Sequence, residues 1–359
     1  MRILAPYESF HTIHGALRAL LAVMDICKSL GHDVTVLVER DTEREAPEAV
    51  VIKHYELEDF CDYYPLRTLK PADVEKARLY GLEGYERYLQ ADLIWTFSGT
   101  LDRIEHHVEK PPEHFHDAFN LEFRNHWSYQ HFPVSGDYPH PSCVLHANST
   151  YTQEAIKRRW GKSSRLLHPP IPLDRYNHIP GFEERETDLI YIGRVDPLKL
   201  GSPPIFKRMP ELRTLIVGAE HKGMFPDYEP DITWVKNVTF TQLSEHLSNS
   251  KVYVHWKYFF DNVAEHYGIV VAEAMASGIP TIVPKAGGPW TDISDYGKYA
   301  IGVGSIEEAV GEVHRLLEDR EYWNEWHEKA VEGVERLGYE VAQGKIEGWL
   351  GELGKGFKS

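Results

Sequence analysis

Two pairs of residues in this chain have the types and spacing for chemistry on a charged, hydroxyl-rich ligand. Glu265 and Glu273 stand eight positions apart in NVAEHYGIVVAEAMASGIPTIVP (262–284), with Gly268 between them. Arg194 and Lys199 stand in GRVDPLKLG, directly after the apolar run Asp188–Ile192. Carboxylates accept hydrogen bonds from sugar and ribose hydroxyls, and a guanidinium fork beside an ammonium point charge suits a diphosphate. Val270, Val271, Ala274 and Met275 recur at helical spacing, which predicts a loop feeding a helix N-terminus at Gly268-Ile269-Val270. The free first-turn N–H groups and the helix dipole there favour an anion. Glu265 precedes that anion site, and Glu273 lies about one and a half turns into the helix, at 3.6 residues per turn. Gly278 and Pro280 stop the helix, and Thr281-Ile282-Val283 reads as a short buried strand.

The elements that must position these residues read as alternating strands and helices. Arg2–Ala5 is predicted as a buried strand ended by Pro6, followed by a helix over 15–31 and a strand over 32–40 with Val34, Val36 and Val38 alternating. Residues 41–90 lack a clear period and are expected to form irregular helices outside a sheet. Strand 91–97 delivers the loop Ser98-Gly99-Thr100 to the carboxyl edge, where ligands of parallel sheets bind. Asn148 or Ser149 caps a helix that Gly161 ends, and Pro169, Pro170 and Pro172 stiffen a linker. The rhythm then restarts with strands at 188–192, 212–218, 232–235 and 251–255, a helix near 241–248, and an amphipathic helix over 306–317. The expected domains are 1–169, 170–335 and a helical C-terminal segment 336–359.

With these parts in order, the chain resembles the retaining glycosyltransferases of family GT4, which have the GT-B fold. E-x7-E followed by a small-Gly-x-Pro turn and a short strand resembles the family signature. The spacing alone fits ordinary surface glutamates; the glycine, the helix stop and the strand carry the resemblance. GRVDPLKLG resembles the family's GR…K-G segment, with Leu200 set between Lys199 and Gly201. Gly287-Gly288-Pro289 resembles its later glycine pair, with Asp292 at best in place of the usual Glu. GHDVTVL (31–37) is similar to the start of the family's N-terminal domains, although the first loop holds only Gly15, beside His11 and His14, where a glycine pair is usual.

In KPPEHFHDAFNLEF (110–123), Phe115-His116 matches the family's aromatic–histidine pair near the reacting anomeric centre. The same stretch also reads as a structural histidine in a loop, or as a metal site. Against the metal, two histidines and a carboxylate alternating on a strand point to opposite faces.

The resemblance implies an α/β protein of two Rossmann-like doubly wound domains facing a central cleft. It implies a hexosyltransferase that moves a sugar from a nucleotide-diphosphate sugar, UDP- or GDP-linked, to a glycan or lipid-linked acceptor. By the resemblance His116 and Glu265 serve catalysis. Arg194, Lys199, Gly268, Ile269, Val270 and Glu273 hold nucleotide and phosphate, while His14 and Gly15 form a candidate phosphate loop in the first domain. Retention by front-face transfer needs neither a metal nor a cofactor, since cations and a helix dipole stabilise the leaving diphosphate. The alternatives are a GT-B sugar-nucleotide epimerase or phosphorylase, or a catalytically silent nucleotide-sugar-binding subunit.

Composition bounds these readings. The 359 residues suffice for two domains, and 42% hydrophobic with 12% aromatic content describes a folded globular chain. A formal charge of −16 argues against a nucleic-acid binder. Cys27, Cys61 and Cys143 show no CxxC spacing, which argues against a disulfide framework or a cysteine zinc site. Neither a P-loop nor a G-x-G-x-x-G motif occurs. With no signal peptide and no apolar window of membrane-spanning length, a cytoplasmic protein is expected. The basic cluster Lys157, Arg158, Arg159, Lys162 and Arg165 reads either as a solvated helix face or as a peripheral contact with anionic lipid or a phosphorylated acceptor.

Overall fold

A computed structural model describes residues 1–7, 15–39, 66–77, 86–88, 90–97, 126–130, 143–176, 178–193, 205–218, 232–236, 238–255 and 264–356. The chain divides into two compact units. Met1–Asn148, Thr152–Pro170 and Glu340–Ser359 form the first; Ser149–Tyr151 and Ile171–Tyr339 form the second.

The first unit is built on seven strands: β1 (Arg2–Tyr7), β2 (Asp33–Glu39), β3 (Val74–Ala77), β4 (Leu93–Phe97), β5 (His126–Gln130), β6 (Val144–Ala147) and β7 (Arg165–Leu166). All pair in parallel in the order β3-β2-β1-β4-β5-β6-β7. Helix α1 (Gly15–Ser29) follows β1 and buries a continuous face from Leu17 to Cys27. Helix α2 (Thr150–Trp160) follows β6, and Gly161, at φ +65°, ends it.

Two expectations are corrected here. Pro6 does not end β1, because the strand runs on to Tyr7 by pairing with β2. On its other side β1 pairs with β4 only at Ile3 and Leu4, so Pro6 has no ladder bond to give there. The stretch 41–90, read as lying outside the sheet, supplies the edge strand β3, whose four residues are too few and too polar to show a period. The strand β5 lies in a stretch for which the sequence carried no expectation.

The second unit carries six parallel strands: β8 (Thr187–Ile192), β9 (Thr214–Val217), β10 (Ile232–Val235), β11 (Ser250–Val254), β12 (Thr281–Pro284) and β13 (Ile301–Val303). Their order is β10-β9-β8-β11-β12-β13. Helices α3 (Phe240–Ser248), α4 (Ile269–Ala276), α5 (Ile306–Glu318) and α6 (Arg320–Val334) complete it. Period-2 alternation divides the inner strands between two cores. Ile190, Ile192, Leu215, Val217, Tyr253 and Val283 pack with α4 on one face. Leu189, Tyr191, Ile216, Val252, Val254 and Ile282 pack with α5 and Trp323 on the other. Being covered on both faces, the strands read as near-continuous apolar runs. Helix α4 is itself buried from Val271 to Ala276, so it is apolar almost all round and not amphipathic.

The C-terminal helix α7 (Tyr339–Gly356) belongs with the first unit. Trp349 meets His146 at a ring separation of 4.9 Å, and Glu352 pairs with Arg165 at 2.9 Å. Among the described residues no helix is long and apolar enough to cross a membrane.

Candidate active site

In both sheets the strand order reverses beside the first strand of the unit, the doubly wound Rossmann arrangement. Ligands of such sheets bind outside the carboxyl ends of the strands at the reversal, which in the second unit lies between β8 and β11. Gly193 follows β8 at this edge, and His255 follows β11. Tyr253 and His255 stand two apart on one strand face, and the Tyr253 hydroxyl is 3.0 Å from His255 Nδ1. Burial holds the Tyr253 phenol well above its ordinary pKa, and the charges of Tyr191, Glu273 and Glu265 push it the same way. Both glutamates therefore act on one buried tyrosine at the switch point.

Helix α4 begins at Ile269, where its predicted start lies. Its N-cap, Gly268, adopts φ +84°, ψ +62°, a left-handed conformation that a side chain disfavours. A Cβ there would lie 3.1 Å from Pro289 Cγ and 3.5 Å from Glu265 Cγ. The cap has no side-chain acceptor to offer, so first-turn amides such as those of Ile269 and Val270 remain without intrahelical partners, as geometry requires. Glu265 is half-buried just before this end. Glu273, the fifth residue of α4, is wholly buried. Ser277 and Gly278 close the helix, and β12 follows at Thr281.

The structure thus gathers Glu265, Gly268, Ile269, Val270 and Glu273 around one helix N-terminus. Gly15 is the exposed first residue of α1, at the carboxyl side of β1 in the first unit. His14, His116, Arg194 and Lys199 lie outside the described residues. Lys157, Arg158, Arg159 and Lys162 are exposed at the end of α2. Asp292, the residue nearest the family's usual glutamate, is buried and accepts the Thr150 N–H at 2.7 Å, the Thr150 hydroxyl at 2.8 Å and the Thr291 hydroxyl at 2.6 Å.

Sequence reasoning passed over Tyr253 and His255. Their signal was available, since polar ring side chains at the carboxyl end of a buried strand sit where Rossmann sheets bind ligands.

Two doubly wound parallel sheets of this kind define the GT-B class. HepE of Anabaena, solved with UDP and glucose, superposes over 98% of this chain and 100% of its own, with a TM-score of 0.70 at 14% identity. Sucrose-phosphate synthase of Thermosynechococcus elongatus covers 99% of both chains, with a TM-score of 0.68 at 15% identity. Residues 179–332 match the family described as glycosyl transferases group 1. This domain, which holds the whole gathered site, is similar to the group 1 glycosyltransferases. It is 25% identical over 181 residues to the GDP-Man:Man(3)GlcNAc(2)-PP-Dol alpha-1,2-mannosyltransferase of Xenopus laevis, covering 42% of this chain and 36% of the relative. The human enzyme of the same description is 24% identical over 183 residues, with the same coverage. The chain matches about a third of the length of these curated relatives.

Proposed function

We propose that the chain is a retaining glycosyltransferase that transfers a hexose from a nucleotide-diphosphate sugar to a glycan or lipid-linked acceptor, with no metal or cofactor. The observation that carries this reading is the pair Glu265 and Glu273 astride the N-terminus of α4, at the carboxyl edge of a switch-point sheet.

Breaking the anomeric bond leaves an oxocarbenium-like sugar and a diphosphate anion. Preorganised donors aimed at that anion lower the barrier more than donors that must reorganise. The first-turn amides of α4 are such donors, and Arg194 and Lys199 are proposed to add the cations. Glu265, half-buried before the helix, orients the sugar hydroxyls. Glu273 accepts from the ribose, in surroundings whose low dielectric strengthens a hydrogen bond. His116 is proposed to position sugar or acceptor. The leaving phosphate helps to take the acceptor proton, so the transfer occurs on one face and retains configuration.

UDP and GDP are the first donor bases to try, because a solved neighbour holds UDP and the mannosyltransferase relatives are named for GDP-Man. Calorimetric titration of UDP, GDP, ADP and dTDP without metal, into wild type and Glu273→Ala, tests the reading. One base is expected to bind selectively and to weaken in the variant. Failure of all four to bind wild type would sink the donor site.

A further inference from the structure

We propose that Gly287, Gly288 and Pro289 are positioning residues that set the placement of Glu265 in the donor site. The inference rests on the reading that Glu265 orients the sugar.

The Gly288 N–H donates to the Glu265 carbonyl at 2.9 Å. That amide is thereby committed to protein and is not offered to a phosphate. A Cβ on Gly288 would lie 2.0 Å from the His266 carbonyl oxygen and 2.7 Å from Tyr267 Cα. A Cβ on Gly287, at φ +71°, would lie 2.2 Å from the Glu265 oxygen and 2.9 Å from Ala264 Cβ. The backbone of 264–267 therefore rests directly on the backbone of 287–288, at a separation that admits no side chain at either position. Pro289 completes the seat, its Cγ 3.1 Å from the Cβ position of Gly268, which in turn is 3.5 Å from Glu265 Cγ.

The seat is fixed to the sheet. Lys285 N–H donates to the Val303 carbonyl at 2.9 Å, so the turn after β12 is tied to β13. The Thr291 hydroxyl donates to the Gly287 carbonyl at 3.1 Å, and Ser294 N–H to the Pro289 carbonyl at 2.8 Å. His266 and Tyr267 are buried beside the seat, so the loop cannot lift without exposing them. A displacement of the Glu265 backbone by one methyl's thickness moves its carboxylate by a distance that matters to a reacting sugar, where a 1 Å error costs about 100-fold.

Gly287→Ala and Gly288→Ala test this, with Gly311→Ala as control, because a Cβ on Gly311 meets nothing within 4 Å. The readouts are cooperative thermal unfolding, the calorimetric Kd of UDP or GDP, and acceptor-free nucleotide release from UDP-glucose or GDP-mannose. Each seat variant is expected to lose about 100-fold in kcat for nucleotide release. Nucleotide affinity is expected to stay within about threefold, because the amides and Glu273 remain in place. Gly311→Ala is expected to match wild type in all three.

Wild-type kcat in folded Gly288→Ala and Gly287→Ala would overturn the inference. If both fail to fold, Pro289→Ala decides, since it removes the ring contact and keeps the Gly288 hydrogen bond. A loss of about tenfold in kcat is then expected, and wild-type turnover overturns the proposal. Glu265→Gln separates the inference from its parent reading. Wild-type turnover in Glu265→Gln would sink the sugar role of Glu265, whereas impaired Glu265→Gln beside unimpaired glycine variants would sink only the seat.

Discussion

Arg185 donates through Nη2 to the Ser277 carbonyl at 2.8 Å, which places a guanidinium at the C-terminal end of the helix whose N-terminus Gly268 caps. A cation there complements the helix dipole while the other end is left to favour an anion. The same guanidinium donates to Pro180, Leu247 and Ser250 carbonyls at 3.1, 3.3 and 2.7 Å and lies 5.5 Å from the Trp323 ring. Its acceptors are all main-chain carbonyls, so it joins the turn before β8, the end of α3, the start of β11 and the end of α4.

Removing Arg185 is expected to destabilise the second unit. Burial pulls its pKa down to about 10, partly opposed by Glu184, so it stays charged at neutral pH. Arg185→Met leaves buried carbonyls without donors and is expected to cost about 3 kcal/mol in urea unfolding followed by tryptophan fluorescence. Arg185→Lys is expected to recover less than half, because an ammonium cannot fork to carbonyls on four elements. Equal midpoints for all three proteins would show the network to be energetically idle.

Asp25 is the corresponding fastener of the first unit. It sits inside α1 with no exposed surface, and its carboxylate accepts from Arg67 N–H at 2.9 Å, Thr68 N–H at 2.6 Å and Leu69 N–H at 2.7 Å. The Thr68 hydroxyl adds a fourth bond at 2.9 Å. Asp25→Ala orphans three backbone donors, and a loss of about 3 kcal/mol is expected. Asp25→Asn keeps an acceptor and is expected to lose about half as much. Limited proteolysis near 66–70 gives the local readout: faster cleavage in Asp25→Ala is expected, and an unchanged pattern would contradict the tether.

The first unit is expected to lose stability in mild acid through His146. This residue is wholly buried among Trp95, Trp127 and Trp349, at ring separations of 5.3, 5.0 and 4.9 Å. Burial, then the charge of Arg165, pushes its pKa down to about 3 against an ordinary 6.5, with the Val144 carbonyl opposing. The unfolded chain thus binds a proton between pH 6.5 and 3 that the folded unit refuses, so stability present above pH 6.5 is lost as pH falls through that window. From pH 7 to pH 5 the contribution is about 2 kcal/mol. His146→Phe keeps the aromatic packing and removes the titration, so its unfolding midpoint is expected to fall less over the same interval. Parallel pH profiles for the two proteins would contradict this.

The legibility of the site followed its punctuation. Gly268, Gly278 and Pro280 mark the ends of α4 and the entry to β12, and these local signals survive folding unchanged. The strands β8 and β11 were readable because burial on both faces leaves unbroken apolar runs. The edge strand β3 (VEKA) and β5 (HWSYQ) were not, since polar residues interrupt both and leave no apolar run to read. Asp25 reads in sequence as one polar position in an apolar helix, and only the chain returning at 67–69 gives it partners. The contact of Gly288 with Glu265 is likewise tertiary. A resemblance marks the glycine pair, but no local pattern says which loop will rest on it.

The division of labour between the two glutamates can be read from kinetics. Glu273 is wholly buried in α4, whereas Glu265 is half-buried on a loop before it, so the two differ in how firmly they are held, and the proposed function assigns them different parts of the donor. An interaction with the ribose is the same in ground and transition states, and losing it weakens binding without slowing the bond-breaking step. An interaction with a sugar that gains oxocarbenium character grows in the transition state, and losing it lowers kcat. Glu273→Gln is therefore expected to raise the Kd of the bound nucleotide about tenfold, or about 1.4 kcal/mol, with kcat nearly unchanged. It is also expected to reduce the rise in Tm that a saturating nucleotide produces, because that rise follows the ratio of ligand concentration to Kd. Glu265→Gln is expected to leave the nucleotide Kd alone and to lower kcat by about 100- to 1,000-fold. If both variants shifted Kd and kcat together, the glutamates would be acting as one unit, and the assignment of ribose to one and sugar to the other would fail.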